Sequence, residues 1–150
     1  MPDLRELYQE IILDHNRSPR NFRKIEEANR FAEGFNPLCG DHYYIYAVVE
    51  DGVLTDVSFD GAGCAISKAS ASLMTETLRG KTVEEADAVI AGYRGMVLGE
   101  SGAAEHKDQL GKLVVFSEVG NYPTRVKCAI LAWHTLHAAL HQEQDTVTTE

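Results

Sequence analysis

His42-Tyr43-Tyr44-Ile45-Tyr46-Ala47-Val48-Val49-Glu50-Asp51-Gly52-Val53-Leu54-Thr55-Asp56-Val57-Ser58-Phe59 is the stretch that decides the fold. Aromatic and β-branched residues crowd its first half, and such side chains suit a pleated, half-buried surface. Asp51-Gly52 supplies a pair that tolerates the positive φ angles of a two-residue turn. The stretch reads as a β-hairpin, residues 42–49 pairing with residues 53–59.

After the hairpin, Gly61-Ala62-Gly63 leads into text rich in Ala, Ser and Leu, which predicts a helix over residues 65–79 with Gly80 placed to end it. Cys64 therefore stands where a strand gives way to a helix. Thr82 and Glu85 have capping-box spacing and open a helix from about residue 83 into the Tyr93 region. Glycines 95, 99 and 102 follow, and residues 100–108 read as a mobile loop. Residues 110–119 suit a short helix. Pro123 then precedes Val126, Ile130, Leu131, Leu136 and Leu140, the apolar face of a closing helix that has Trp133 in the core and Cys128 near its amino-terminal end.

Toward the amino terminus, Asp3 and Glu6 fit another capping box, and Leu4, Leu7, Tyr8, Ile11 and Ile12 share one face of a helix over residues 3–15. Pro19 stops it. The segment through Asn36-Pro37 has mixed charge and no sustained period, as in an extended connection or a short helix. The polar tail, residues 142–150, is expected to fray. The elements predict one domain over residues 1–150, of the α+β class: a small antiparallel β-sheet covered on one face by helices.

With 150 residues, 44% of them hydrophobic, the chain can bury a core without staples. No apolar run approaches the ~20 residues that span a bilayer, and Met1-Pro2-Asp3-Leu4-Arg5-Glu6 lacks a basic region followed by an apolar one. A cytoplasmic protein with no membrane partner is expected. The formal charge of -9 opposes nucleic acid, whose binding draws on clustered Lys and Arg, and it suits solubility or a basic protein partner. Tyr43, Tyr44 and Tyr46 are accordingly read as hairpin packing rather than as a stacking platform for bases.

Three cysteines, Cys39, Cys64 and Cys128, cannot all pair within one chain. Glycines flank the first two, and Cys64 and Cys128 fall near predicted helix amino termini, where partial positive charge favours a thiolate. Zinc takes sulphur readily in a tetrahedron, and Asp41, two residues after Cys39, can supply a fourth ligand. One exchangeable oxygen ligand suits a site that opens better than a purely structural one. Free cysteine is also among the most buried residue types, and the wide separations match no zinc-finger pattern. From the residues alone, metal binding, thiol chemistry and plain burial all stay open.

Four stretches in order carry a resemblance: Leu7-Tyr8 with Asp14-His15 and Pro19-Arg20-Asn21; Asn36-Pro37-Leu38-Cys39-Gly40-Asp41; Phe59-Asp60-Gly61-Ala62-Gly63-Cys64-Ala65-Ile66-Ser67-Lys68-Ala69-Ser70-Ala71-Ser72; and Arg125-Val126-Lys127-Cys128-Ala129. Over nearly its whole length the chain resembles the SufU/IscU/NifU amino-terminal family of iron–sulphur assembly proteins. Members of the scaffold branch have a histidine immediately before the third cysteine. Here Lys127 stands there, and the segment between Cys64 and Cys128 is longer, both as in the SufU branch.

That resemblance implies zinc held by Cys39, Asp41, Cys64 and Cys128, with Cys39 receiving sulphur as a persulphide from a SufS-like cysteine desulphurase. It implies that a histidine of the docked desulphurase replaces Cys39 on the zinc, and that SUF assembly proteins lie downstream. The alternative it leaves is a scaffold that assembles a transient [2Fe–2S] cluster on the same cysteines, with Cys128 the next candidate for the first sulphur. Arg125 and Lys127 are candidate cations beside the site. His134, His137 and His141 share one face of the closing helix and would suit a second metal, although solvated or half-buried helix histidines are the more ordinary reading. His15 is expected to fix the first helix rather than to bind metal.

Overall fold

In the computed structural model, which describes residues 4–99, 110–142 and 146–148, the Asp51-Gly52 pair turns the hairpin as its sequence predicts. Asp51 has φ 51° and Gly52 φ 76°. Both are left-handed, the geometry whose twist matches that of the paired strands. The strands it joins are Asp41–Glu50 (β2) and Val53–Ala62 (β3), antiparallel, with a bulge at Val48/Val49.

A further strand, Arg30–Asn36 (β1), pairs antiparallel with β2 from Arg30↔Ala47 to Asn36↔Asp41. It lies in the segment whose charge mixture predicts only an extended connection or a short helix. Its pattern is hidden because the large side chains, Phe31 and Phe35, point outward while Ala32, Gly34 and Asn36 are the buried residues. Small inward residues let the closing helix lie directly across β1.

Residues 146–148, in the tail expected to fray, form a short strand (β4) that runs parallel to β1 with Val147 buried opposite Gly34. The open edge of β1 offers unpaired backbone groups, and Thr-Val-Thr alternates as an edge strand does. The sheet order is β3-β2-β1-β4, mixed only at that last edge.

Helices cover one face. They are Leu4–Arg17 (α1), Ala65–Leu78 (α2), Val83–Leu98 (α3) and Pro123–His141 (α4), with a 3-10 helix at Gly111–Asn121 where the sequence predicts a short helix. The capping box at Thr82 and Glu85 is present, and Pro123 opens α4. The loop expected over residues 100–108 lies outside the described residues.

Trp133 fixes the helices to one another. Its ring stacks on Tyr93 of α3 at 4.1 Å, and its Nε1 donates to Ser70 Oγ of α2 at 2.9 Å. Ser70 and Tyr93 both donate to the Ala129 carbonyl, at 2.6 and 2.8 Å. α1 is anchored by His15, whose Nδ1 meets Ser72 Oγ at 2.6 Å, the positional role expected of it.

Candidate metal and sulphur site

Four local structures carry the four side chains: Cys39, Asp41 and Cys128 form one compact group, and Cys64 stands outside it, adjoining through Asp41. Cys39 lies in the turn between β1 and β2, where the Gly40 N–H donates to the Asn36 carbonyl at 2.9 Å, and its side chain is exposed. Asp41 opens β2 and is fully buried. Cys64 caps the amino terminus of α2, its Sγ accepting from the Ser67 N–H at 3.4 Å. Cys128 is the sixth residue of α4 and is buried.

The side chains meet. Cys128 Sγ lies 3.3 Å from Cys39 Sγ, and Cys64 Sγ lies 4.0 Å from Asp41 Oδ2. Ligand atoms of Cys39, Asp41 and Cys128 all lie within 4.8 Å of one another. Asp41 is held on both oxygens, Oδ1 accepting from the Cys64 N–H at 2.8 Å and Oδ2 from Asn36 Nδ2 at 3.2 Å. The same Asn36 amide donates to Cys128 Sγ at 3.4 Å. Gly63 passes so close that an added Cβ would stand 2.5 Å from Tyr43 Oη and 2.6 Å from Asp41 Oδ1.

Charge is distributed unevenly. The hydrogen bond from Cys128 lowers the Cys64 thiol to about 6, helped by the Ser67 N–H and hydroxyl and opposed by burial and the Asp41 carboxylate. Cys128 is pushed up because it keeps the proton shared with Cys64, because it is buried, and because of its contact with Cys39. The thiolate-favouring setting expected for both residues is thus found only at Cys64. The helix-end field fades beyond the first turn, and Cys128 lies past it.

This donor set fits a soft divalent cation. Tetrahedral zinc bound to sulphur and carboxylate sets neighbouring ligand atoms roughly 3.6–3.8 Å apart, and the 3.3 and 4.0 Å separations lie on either side of that. Among the described residues no lysine, arginine or histidine forms an ion pair with Asp41. A buried carboxylate beside a low-pKa thiol therefore leaves a demand for positive charge that a metal would meet.

Asn36, Ser67 and Tyr8 are additions that the sequence does not single out as site residues. The Tyr8 hydroxyl is buried, and burial raises its pKa, opposed in part by the Arg125 guanidinium and reinforced by the Cys64 thiolate. Its helix periodicity marks it as core, and nothing in the spacing signals the site. Arg125 lies over the Tyr122 ring at 4.6 Å, and Lys127 lines a separate cleft with Val97, Leu98, Ile130 and His134.

A mixed sheet backed by helices, with three free thiols and a buried carboxylate gathered from a strand turn, a strand start, a helix cap and a closing helix, defines a class of small α+β cysteine-site domains. Residues 7–129 match the NifU-like N-terminal domain. The chain is 44% identical over 134 residues to the iron–sulphur cluster assembly scaffold protein IscU of Thermotoga maritima, covering 89% of this chain and 92% of that one. It is 33% identical over 144 residues to the zinc-dependent sulfurtransferase SufU of Bacillus subtilis, covering 95% of each. A crystal structure from Fervidobacterium islandicum AW-1, described as a scaffold protein for the SUF system, superposes with a TM-score of 0.83 at 39% identity, covering 90% of this chain and 97% of that one. The chain belongs to the SufU/IscU/NifU amino-terminal family of iron–sulphur cluster assembly proteins. Among its described residues no helix is long and apolar enough to cross a membrane.

Proposed function

We propose that this protein is a zinc-dependent sulphur acceptor that takes persulphide sulphur from a cysteine desulphurase for iron–sulphur cluster assembly. The observation that carries the reading is the exposure of Cys39 at a turn whose other site residues are half-buried or buried. Cys39 is the exposed thiol of the set, Cys64 being half-buried and Cys128 buried, so a partner's persulphide reaches Cys39 most readily. Lys127, standing where the scaffold branch has histidine, and the likeness to the Bacillus subtilis sulfurtransferase add support.

Cys39, Asp41, Cys64 and Cys128 would hold the zinc, which keeps coordinating thiols deprotonated at neutral pH. In the transfer itself the Cys39 thiolate attacks the terminal sulphur of the desulphurase persulphide. A new S–S bond forms on Cys39, the old one breaks, and the desulphurase cysteine leaves as a thiolate, so no outside oxidant or reductant is needed. Asn36 keeps Asp41 and Cys128 in register while Cys39 moves. Leu38, 61% exposed beside Cys39, and Phe35 give the docked partner an apolar foothold.

The test is mass spectrometry of each cysteine after exposure to a desulphurase and cysteine. A mass gain of one sulphur on Cys39, lost in Cys39→Ser, is expected; unchanged transfer by that variant would sink the assignment. The second reading, a scaffold for a transient [2Fe–2S] cluster, is favoured by the 44% identity to the Thermotoga maritima scaffold. Anaerobic reconstitution with iron and sulphide separates the two. A chromophore that passes intact to an acceptor protein supports the scaffold, whereas zinc that iron does not displace supports the sulphur acceptor.

A further inference from the structure

We propose a second metal site, formed by Asp87, His137 and His141, for a borderline divalent cation of the zinc and ferrous class. The sequence groups His134, His137 and His141 on one helix face, but the fold regroups them. His134 points its Nε2 into buried surroundings with no partner, while His137 and His141 come together with Asp87 of α3. One ligand atom from each of these three lies within 4.8 Å of the other two. His141 Nε2 stands 2.9 Å from both carboxylate oxygens of Asp87, and the two imidazoles lie 4.6 Å apart, centroid to centroid.

The 2.9 Å separation of His141 Nε2 from the Asp87 carboxylate, an ion pair when His141 is protonated, also suits coordination by one ion, with His137 within 4.8 Å. Nitrogen and oxygen ligands at about 2.1 Å from one ion lie roughly 2.9–3.4 Å apart for octahedral to tetrahedral angles. Histidines at i and i+4 on a helix present both rings to one ion, as in other helical metal motifs. Two imidazoles with one carboxylate leave positions for water, in keeping with the partial exposure of all three.

The placement is set by packing between two helices, with Arg94 lining the same cleft as Asp87 and His137. Tyr93 stacked on Trp133 locks α3 against α4, so Asp87, early in α3, meets His141, the last residue of α4. The site also faces the carboxyl end of α4, where partial negative charge attracts cations. Cys128 and His141 are separated by about 20 Å of helix, so this site is distinct from the cysteine cluster and does not depend on the sulphur reading.

The experiment begins with protein carrying one equivalent of zinc at the cysteines. Further Zn2+ is titrated calorimetrically, Fe2+ is titrated anaerobically in parallel, and Co2+ is followed by absorption. A second binding step is expected in the wild type, with Co2+ bands that lack thiolate-to-metal charge transfer. It should weaken at least tenfold in Asp87→Asn and His137→Ala, both of which keep the partly exposed surface, while the first equivalent stays bound. Absence of a second step, its persistence in both variants, or cobalt bands of thiolate character overturns the proposal. Persulphide transfer to Cys39 reports separately on the first site.

Discussion

Asn36 Nδ2 lies 3.4 Å from Cys128 Sγ and, through the same amide, 3.2 Å from Asp41 Oδ2, so one fully buried side chain joins the end of β1 to α4 and to the start of β2. Asn36→Ala removes the donor shared by two candidate ligands. Loss of such an outer partner typically costs 10–100-fold in metal affinity, and the unsatisfied Asp41 oxygen costs about 1–3 kcal/mol of stability. Competition with a chelator and the denaturant midpoint of the metal-free protein measure the two effects; unchanged affinity shows that Asn36 does not orient the ligands.

Cys39 and Cys128 touch, yet their substitutions should separate. Cys39 is exposed in a turn, so Cys39→Ser should shift stability by no more than about 0.5 kcal/mol while abolishing sulphur acceptance. Cys128 lies on the buried face of α4 and shares its proton with Cys64, so Cys128→Ser disturbs both packing and charge and should lower the unfolding midpoint. Equal thermal shifts for the two variants would contradict the difference in burial.

Gly63 tests how tightly Asp41 is framed. A Cβ there collides with Tyr43 Oη at 2.5 Å and with Asp41 Oδ1 and Ser67 Oγ at 2.6 Å. Gly63→Ala forces these groups apart at about 1–3 kcal/mol, and metal affinity should fall because Asp41 is displaced. Wild-type metal affinity in this variant would mean that the carboxylate has room to move.

The hairpin, α2, the capped α3 and α4 are legible in the sequence because local signals agree with the final packing: Asp51-Gly52 at the turn, Thr82 with Glu85 at a cap, Pro123 at a helix start. β1 is not, because Phe31 and Phe35 face outward and invert the usual alternation, and β4 is not, because a three-residue edge strand exists only through β1. At the site, Cys39, Asp41, Cys64 and Cys128 are legible as types and contexts. Their convergence is a tertiary fact, and so is the join made by Asn36, whose partner Cys128 is remote in sequence. The histidines of α4 are legible as one helix face, but helix periodicity alone cannot show that Asp87 faces His137 and His141 across the α3–α4 contact.

His15 supplies a pH signature. It is buried against Ser72, and burial, reinforced by Arg20, lowers its pKa below the ordinary imidazole value. Burial lowers His134 as well. In the window between the lowered folded pKa and the unfolded value of ~6.5, the unfolded chain binds more protons at these imidazoles than the folded one, so they make stability rise with pH there and add no slope above it, where the lowered Cys64 thiol continues the rise. The urea midpoint of chelator-treated protein should therefore be lower at about pH 5.5 than at about pH 7.5. His15→Gln should flatten this slope in part, leaving the shares due to His134 and Cys64. A wild-type midpoint that stays the same, or rises, on acidification over this window would show that neither imidazole is held neutral by the fold.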